Sequence, residues 1–333
     1  MLGLGSFGPF MGSYALEPEK KTVIKPRRLQ KGGTIGIISP SSRLPGLKQY
    51  DRIVDQVKSL GYGVKEGPNA RNRYGYLAGS DEERAADLNA MFADDTVDAI
   101  LPFRGGWGGN RILSMVDYDL IANNPKILVG FSDITSLLLA IYAKTGLITF
   151  HGPVGKSDWT DYTLTHFERM LSGQQATTIG IPENSTCSDC RELSVITPGE
   201  TKGTLLGGNL SVLTAMIGSD YLPDWQGSIL FLEDVGEDIY RIDRMLTQLK
   251  ISGILEQLSG FIFGQCVNCD RANDYSLSLK QVFEDHIKPL GIPAFSGAMI
   301  GHISDMVTLP IGLEARMDAK TGTIHFEEAA TRP

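Results

Sequence analysis

The chain of 333 residues has no run near the roughly 20 apolar residues that a membrane-spanning helix needs, which excludes a helical span. Nor does it have a block of Lys and Arg. Its 31 basic and 39 acidic side chains leave a net charge of −8, whereas neutralising a phosphate backbone takes clustered cations, so no nucleic-acid partner is expected. The Gly-Lys-Ser/Thr of a Walker loop is missing, and Gly105-x-Trp107-x-x-Asn110 lacks the third glycine of the dinucleotide pattern. No cofactor is expected. Repeats and low-complexity tracts are absent as well, and histidine is scarce, with five in the chain, which makes the search for a general base short. What remains, at 42% hydrophobic and 21% charged residues, is ordinary globular composition on a chain long enough for two domains.

Cysteine is sparse but patterned: the four fall in two C-x-x-C pairs, Cys187/Cys190 and Cys266/Cys269. Their number suits a tetrahedral zinc site, yet the pairs lie much further apart than in a zinc ribbon and no glycine knuckle flanks them. No metal is expected at the functional site, and for the two pairs free thiols, disulfides and a structural metal stay open. Residues 1–30 read as a leader. Met1 to Leu16 is uncharged and rich in glycine and aromatics, ending in Ser13-Tyr14-Ala15 before the charged run Glu17 to Lys21. It lacks the positive start of an export signal, so a cytoplasmic protein is expected, with export as the alternative.

Along the chain, short apolar runs alternate with amphipathic stretches. Thr34 to Ile38, the Val64 region, Asp98 to Phe103, Ile127 to Val129 and Leu147 to Phe150 read as strands; Lys48 to Leu60, a segment opened by the capping box Ser80-x-x-Glu83, and Ile134 to Ala143 read as helices. That rhythm predicts a parallel α/β domain over residues 31–173, with loops at the carboxyl ends of its strands as the place for a site. Residues 174–203, rich in Gly, Pro, Ser, Thr and Asn, read as a linker, and residues 204–333 as a smaller α+β or barrel-like domain closed by a hairpin turning at Lys320-Thr321-Gly322.

Gly130-Phe131-Ser132-Asp133 places a serine where a strand turns into a helix, and the free N–H groups of a first helical turn favour negative charge developing beside it. The pattern has Ile134 where a full nucleophile elbow has its second glycine, and a plain helix cap explains the serine equally well. A nucleophile needs a base and an orienting acceptor. His302, after Ala298 to Gly301, ranks first among the histidines and His151 second; His166, His286 and His325 lie on polar helix faces or in the terminal hairpin. Glu233 closes the strand Ile229 to Leu232, with Asp234 its rival on the opposite side. Backbone N–H groups for an oxyanion are available in the cluster Arg104 to Gly109, at Gly106, and at Asp133.

Taken together, Arg104-Gly-Gly-Trp-Gly, Gly-Phe-Ser132-Asp-Ile-Thr, Leu-Leu-Gly-Gly-Asn209-Leu, Phe-Leu-Glu233-Asp and Gly-His302 followed by Leu309-Pro310-Ile-Gly resemble the LD-carboxypeptidase family of serine peptidases, from about Lys31 to Glu327. That family includes murein tetrapeptide carboxypeptidases and microcin C self-immunity peptidases. The resemblance implies a Ser-Glu-His triad on Ser132, Glu233 and His302. It also implies an amino domain like class I glutamine amidotransferases, a smaller carboxyl domain supplying Glu233 and His302, a muropeptide substrate and a homodimer. Arg104, Trp107 and Asn209 are the candidate substrate-binding residues. A peptidase that detoxifies an aminoacyl nucleotide and a non-catalytic binding protein on the same scaffold are the alternatives.

Overall fold

The computed structural model describes residues 22–181, 190, 192–269 and 275–333. In chain order the first part contains β1 (Thr34–Ile38), α1 (Leu47–Ser59), β2 (Gly63–Glu66), α2 (Asp81–Ala93), β3 (Ala99–Pro102), α3 (Tyr118–Asn123), β4 (Ile127–Gly130), α4 (Thr135–Thr145), β5 (Thr149–His151) and α5 (Asp161–Leu171). The second part contains β6 (Thr177–Ile179), β7 (Ser194–Thr197), β8 (Glu200–Asn209), α6 (Leu210–Thr214), β9 (Ile229–Val235), α7 (Ile239–Ile251), β10 (Gly260–Val267), α8 (Leu279–His286), β11 (Ala294–Ser296), β12 (Leu309–Ile311), β13 (Glu314–Asp318) and β14 (Thr323–Phe326).

The strands form a six-stranded sheet, ordered β12-β5-β4-β3-β1-β2, and an eight-stranded sheet, ordered β6-β14-β13-β8-β9-β10-β11-β7. In the first, β2, β1, β3, β4 and β5 are parallel. Residues of β3 and β4 are buried throughout, as expected where helices cover both faces of a parallel sheet. Helix α1 turns Tyr50, Ile53, Val54 and Val57 inward, and α2 begins in the capping box of Ser80 and Glu83. Among the described residues no helix is long and apolar enough to cross a membrane.

Several sequence expectations need correction. Residues 174–203 contain β6, β7 and the start of β8, all strands of the second sheet, so the stretch is not a plain linker. Short strands at the sheet's ends, built of Ser and Thr, look like loops when read locally. The second sheet is the larger one, and its order ends at β6 and β7 instead of closing as a barrel. Strand β12, expected in the second domain, pairs antiparallel with β5 at the edge of the first sheet. The later part of the supposed leader belongs to the fold: Ile24 pairs beside Leu147, and Arg28 N–H donates to the Arg332 carbonyl at 2.8 Å.

Cys266 and Cys269 are joined in a disulfide at the end of β10, which removes that pair from any zinc site. Cys190 is disulfide-bonded too, while Cys187 lies outside the described residues.

Candidate active site

Strand order 2-1-3-4-5 reverses direction between β1 and β3, and in open parallel sheets ligands sit outside the carboxyl ends of the strands around such a reversal. Loops Ser39–Ser42, Arg104–Gly109 and the Ser132 turn all leave that edge, after β1, β3 and β4. Ser132 has φ 61°, a left-handed conformation that costs a non-glycine residue about 1–3 kcal/mol and recurs where the fold holds a residue for function. Gly105 makes the close approach possible: a Cβ there would lie 3.0 Å from Ser132 Cβ and 3.2 Å from its Oγ. The N–H groups of Gly106 and Asp133, beside this serine, donate to no other group among the described residues.

A buried carboxylate staples these loops together. Asp133 accepts hydrogen bonds from Ser41 Oγ at 2.5 Å and from Gly109 N–H at 2.7 Å. Burial pushes its pKa above the ordinary value, while those two donors pull the other way. Beneath the glycine loop lies Arg84, fully buried on α2, whose guanidinium donates to the Gly108 carbonyl at 2.8 Å and also to the carbonyl of Pro40 and to Asp81. Sequence reasoning used only the backbone of Asp133 and missed Arg84. The sole signal was its place one residue past the capping box, which says nothing of a partner far along the chain.

The opposite wall comes from the second sheet. Glu233 and Asp234 end the apolar strand β9 and are both buried. His302 Nδ1 lies 2.8 Å from Glu233 Oε2. Asn209, capping α6 with its side-chain oxygen on Val212 N–H, donates its amide Nδ2 to Glu233 Oε1 at 3.1 Å and to Asp234 Oδ1 at 3.2 Å. Burial pushes the Glu233 carboxyl up, but the His302 charge and hydrogen bond outweigh it and hold it below its usual value. Burial likewise pushes His302 down, and Glu233 more than reverses that, so its pKa is raised. Asp234 is pushed up to about 6, by burial first and the adjacent Glu233 second.

The loop bearing His302 is fixed from β10. Gln265 N–H donates to the Ile300 carbonyl at 2.9 Å, and its buried amide donates to the carbonyls of Gly297 and Ala298 at 3.0 and 3.3 Å. At Gly301, φ 114°, a Cβ would meet Glu233 Oε2 at 2.8 Å, so the bare backbone lets the loop pack on the carboxylate. Gln265 was another residue that sequence reasoning missed.

The two walls meet in one cleft of about 1000 Å³, lined by Arg104 to Gly108, Ser132, Asn209 and His302 among others. The ring of Phe131, next to Ser132, packs edge-on against His302 with centroids 4.8 Å apart. Of the expected substrate residues, Trp107 is 66% exposed on the rim and Arg104 donates Nε to the Gly105 carbonyl at 3.2 Å; the Asn209 amide is turned to the two carboxylates. His151, the second-ranked base, is not the partner of Glu233: it is buried, its pKa is lowered to about 4 by burial foremost, and its ring packs on Phe131 and Phe231. His286 binds Asp243, His325 contacts Thr178, and His166 packs on Tyr162.

Residues 35–152 match the LD-carboxypeptidase N-terminal domain and residues 202–317 the LD-carboxypeptidase C-terminal domain. A probable murein peptide carboxypeptidase of Bacillus subtilis is 42% identical over 306 residues, covering 91% of this chain and 94% of the relative. Among solved structures, MccF in complex with glutamyl sulfamoyl guanosine superposes with a TM-score of 0.85 at 28% identity, covering 92% of this chain and 99% of that one. The muramoyltetrapeptide carboxypeptidase of Oxalobacter formigenes does so with a TM-score of 0.77 at 31% identity, covering 90% and 100%. The fold, the two matched halves and these relatives agree: the chain belongs to the LD-carboxypeptidase family.

Proposed function

We propose that this protein is a serine-type LD-carboxypeptidase that hydrolyses the bond between an L-configured centre and the terminal D-amino acid of a murein tetrapeptide. The observation that carries the reading is a buried carboxylate, Glu233, holding His302 Nδ1 across one cleft from a serine kept at positive φ. Bound in this way, His302 presents Nε2 as the basic nitrogen. His302 Nε2 takes the proton as Ser132 Oγ attacks the carbonyl, and the N–H groups of Gly106 and Asp133 receive the oxyanion. The protonated imidazole is stabilised by Glu233 and returns the proton to the leaving amine. Water then clears the acyl-enzyme by the same route reversed. Asn209 acts as a positioning residue for Glu233, Arg104 receives the terminal carboxylate, and Trp107 forms the outer wall.

In the same reading the amino half is of the class I glutamine amidotransferase type, and the enzyme works as a homodimer in the cytoplasm. The likeness to MccF bound to a sulfamoyl nucleoside favours a second reading, cleavage of an aminoacyl nucleotide. One assay separates the two: incubation with a murein tetrapeptide and, in parallel, with an aminoacyl sulfamoyl nucleoside. Wild type should release D-alanine from the tetrapeptide, and Ser132→Ala should lower the rate about 10³-fold or more. Equal release by Ser132→Ala, or cleavage confined to the nucleoside, overturns the proposal.

A further inference from the structure

The serine wall and the histidine wall are tied by a buried hydrogen bond behind the cleft surface. Asn209 N–H donates to Thr135 Oγ1 at 3.0 Å. Thr135 is the first residue of α4, three places after the nucleophile, and it is fully buried. Its own N–H donates to the Ser132 carbonyl, so it grips the nucleophile turn with its backbone and Asn209 with its side chain. From Asn209 the path continues: Nδ2 donates to Glu233 at 3.1 Å, and Glu233 holds His302 Nδ1 at 2.8 Å. Asn209 and Glu233 are also register partners in the parallel ladder of β8 and β9, which makes them one unit. The threonine side chain is itself held. Gly208 has φ 144°, and a Cβ there would lie 2.5 Å from Thr135 Cγ2 and 2.6 Å from Oγ1, so bare backbone packs on both branches. A β-branched side chain has few χ1 rotamers, and with the methyl seated against β8 the hydroxyl oxygen is aimed at Asn209 N–H. Other bonds between the halves hold the far side of the histidine loop: Thr160 Oγ1 donates to Asp305 at 2.7 Å and Thr163 Oγ1 to the Ser304 carbonyl at 2.9 Å. Those act beyond His302, whereas Thr135 acts at the carboxylate end of the array.

We infer that Thr135 is a positioning residue for the proposed peptidase reaction, on which this inference rests: its hydroxyl sets the distance between Ser132 and the Asn209–Glu233–His302 array. Proton transfer from Ser132 Oγ to His302 Nε2 needs a heavy-atom approach of about 2.6–3.2 Å, and a misplacement of about 1 Å costs about a hundredfold in rate. The nucleophile and its base come from different sheets, so that approach is only as accurate as the bonds between the sheets. Without the acceptor the buried Asn209 N–H is left unpartnered, and the end of β8 shifts toward another acceptor. Glu233 and His302 shift with it as a pair.

The test is Thr135→Val, which keeps the shape and removes the acceptor, beside Thr135→Ser, which keeps the acceptor. With a murein tetrapeptide as substrate, Thr135→Val should lower kcat per folded enzyme at least about tenfold while KM stays within about twofold, and Thr135→Ser should recover most of the rate. The acid limb of the pH profile should stay in place in Thr135→Val, because the Glu233–His302 pair is kept and only its distance from Ser132 changes. An unchanged kcat, an equal loss in Thr135→Ser, or a moved limb overturns the inference. Where circular dichroism shows that Thr135→Val does not fold, Thr135→Ala takes its place, and equal rates in the Ala and Ser variants overturn it. If wild type releases no D-alanine, the peptidase reading has failed separately. The inference is then read from the rate at which a fluorophosphonate labels Ser132, a reaction that needs the base in reach. Labelling about tenfold slower in Thr135→Val and recovered in Thr135→Ser sustains it; equal labelling, or none in wild type, overturns it.

Discussion

The two walls of the cleft are made of different material. On the serine wall the shape is set by backbone: a left-handed Ser132, the close approach of Gly105, and loops tied by Asp133 and Arg84. On the histidine wall it is set by buried charge: Glu233, Asp234 and His302, joined through Asn209 and a loop held by Gln265. The first kind of wall is sensitive to sterics, and charge enters it only beneath the loops, through the Asp133 and Arg84 ties. The second is sensitive to any change of charge, because a buried carboxylate left without its partner costs several kcal/mol.

The sharpest way to break the comparison is Glu233→Gln. It keeps the shape of the wall and removes its charge, so a backbone-set site would survive it. We expect kcat to fall about 10³-fold or more, because an amide can hold the imidazole in the wrong tautomer. The pH profile adds a signed check. His302 must be neutral to act as base and its pKa is raised, so kcat/KM should climb as pH rises through that value; without the Glu233 charge, burial is opposed only by the lesser pull of Asp234, and the residual activity's acid limb should move to lower pH. An unmoved limb would mean that Glu233 does not set the base.

Ser132→Gly tests the other wall. Relief of the left-handed strain, less the entropy a glycine adds to the unfolded chain, should raise stability by about 1 kcal/mol while activity is lost, measured by denaturant unfolding beside the D-alanine assay. Destabilisation would show that the turn is held without strain. The smallest expected effect belongs to neither wall. Ser278 caps α8 away from the cleft, and Ser278→Ala should cost about 1 kcal/mol of stability with kcat and KM unchanged.

The sequence was legible where structure is local. Strands β1, β3 and β4 are short apolar runs that a parallel sheet buries on both faces, so their order and the loops after them could be read directly. The hairpin of β13 and β14, turning between Asp318 and Thr323, could be read too. β6 and β7 could not, since an end strand needs no apolar run, and β12 gave no sign of which sheet it joins: its Pro310 says only that it lies at an edge. The site followed the same division. Ser132, Glu233 and His302 each stood at a legible strand end, but only the family resemblance joined them. Arg84 and Gln265 escaped because their partners, Pro40 and Gly297, are 44 and 32 residues away and share no pattern with them.

Strand β12 also bears on how such a protein can be taken apart. The chain runs from His302 into β12, pairs there with the strand that ends in His151, and at Gly312 binds Leu205 before entering β13 of the other sheet. The sequence looks like two modules in tandem, yet the second lends a strand to the first. A recombination point near residue 180 would therefore exchange one half together with an edge of the other, and the two halves can be inherited or swapped only as a matched set.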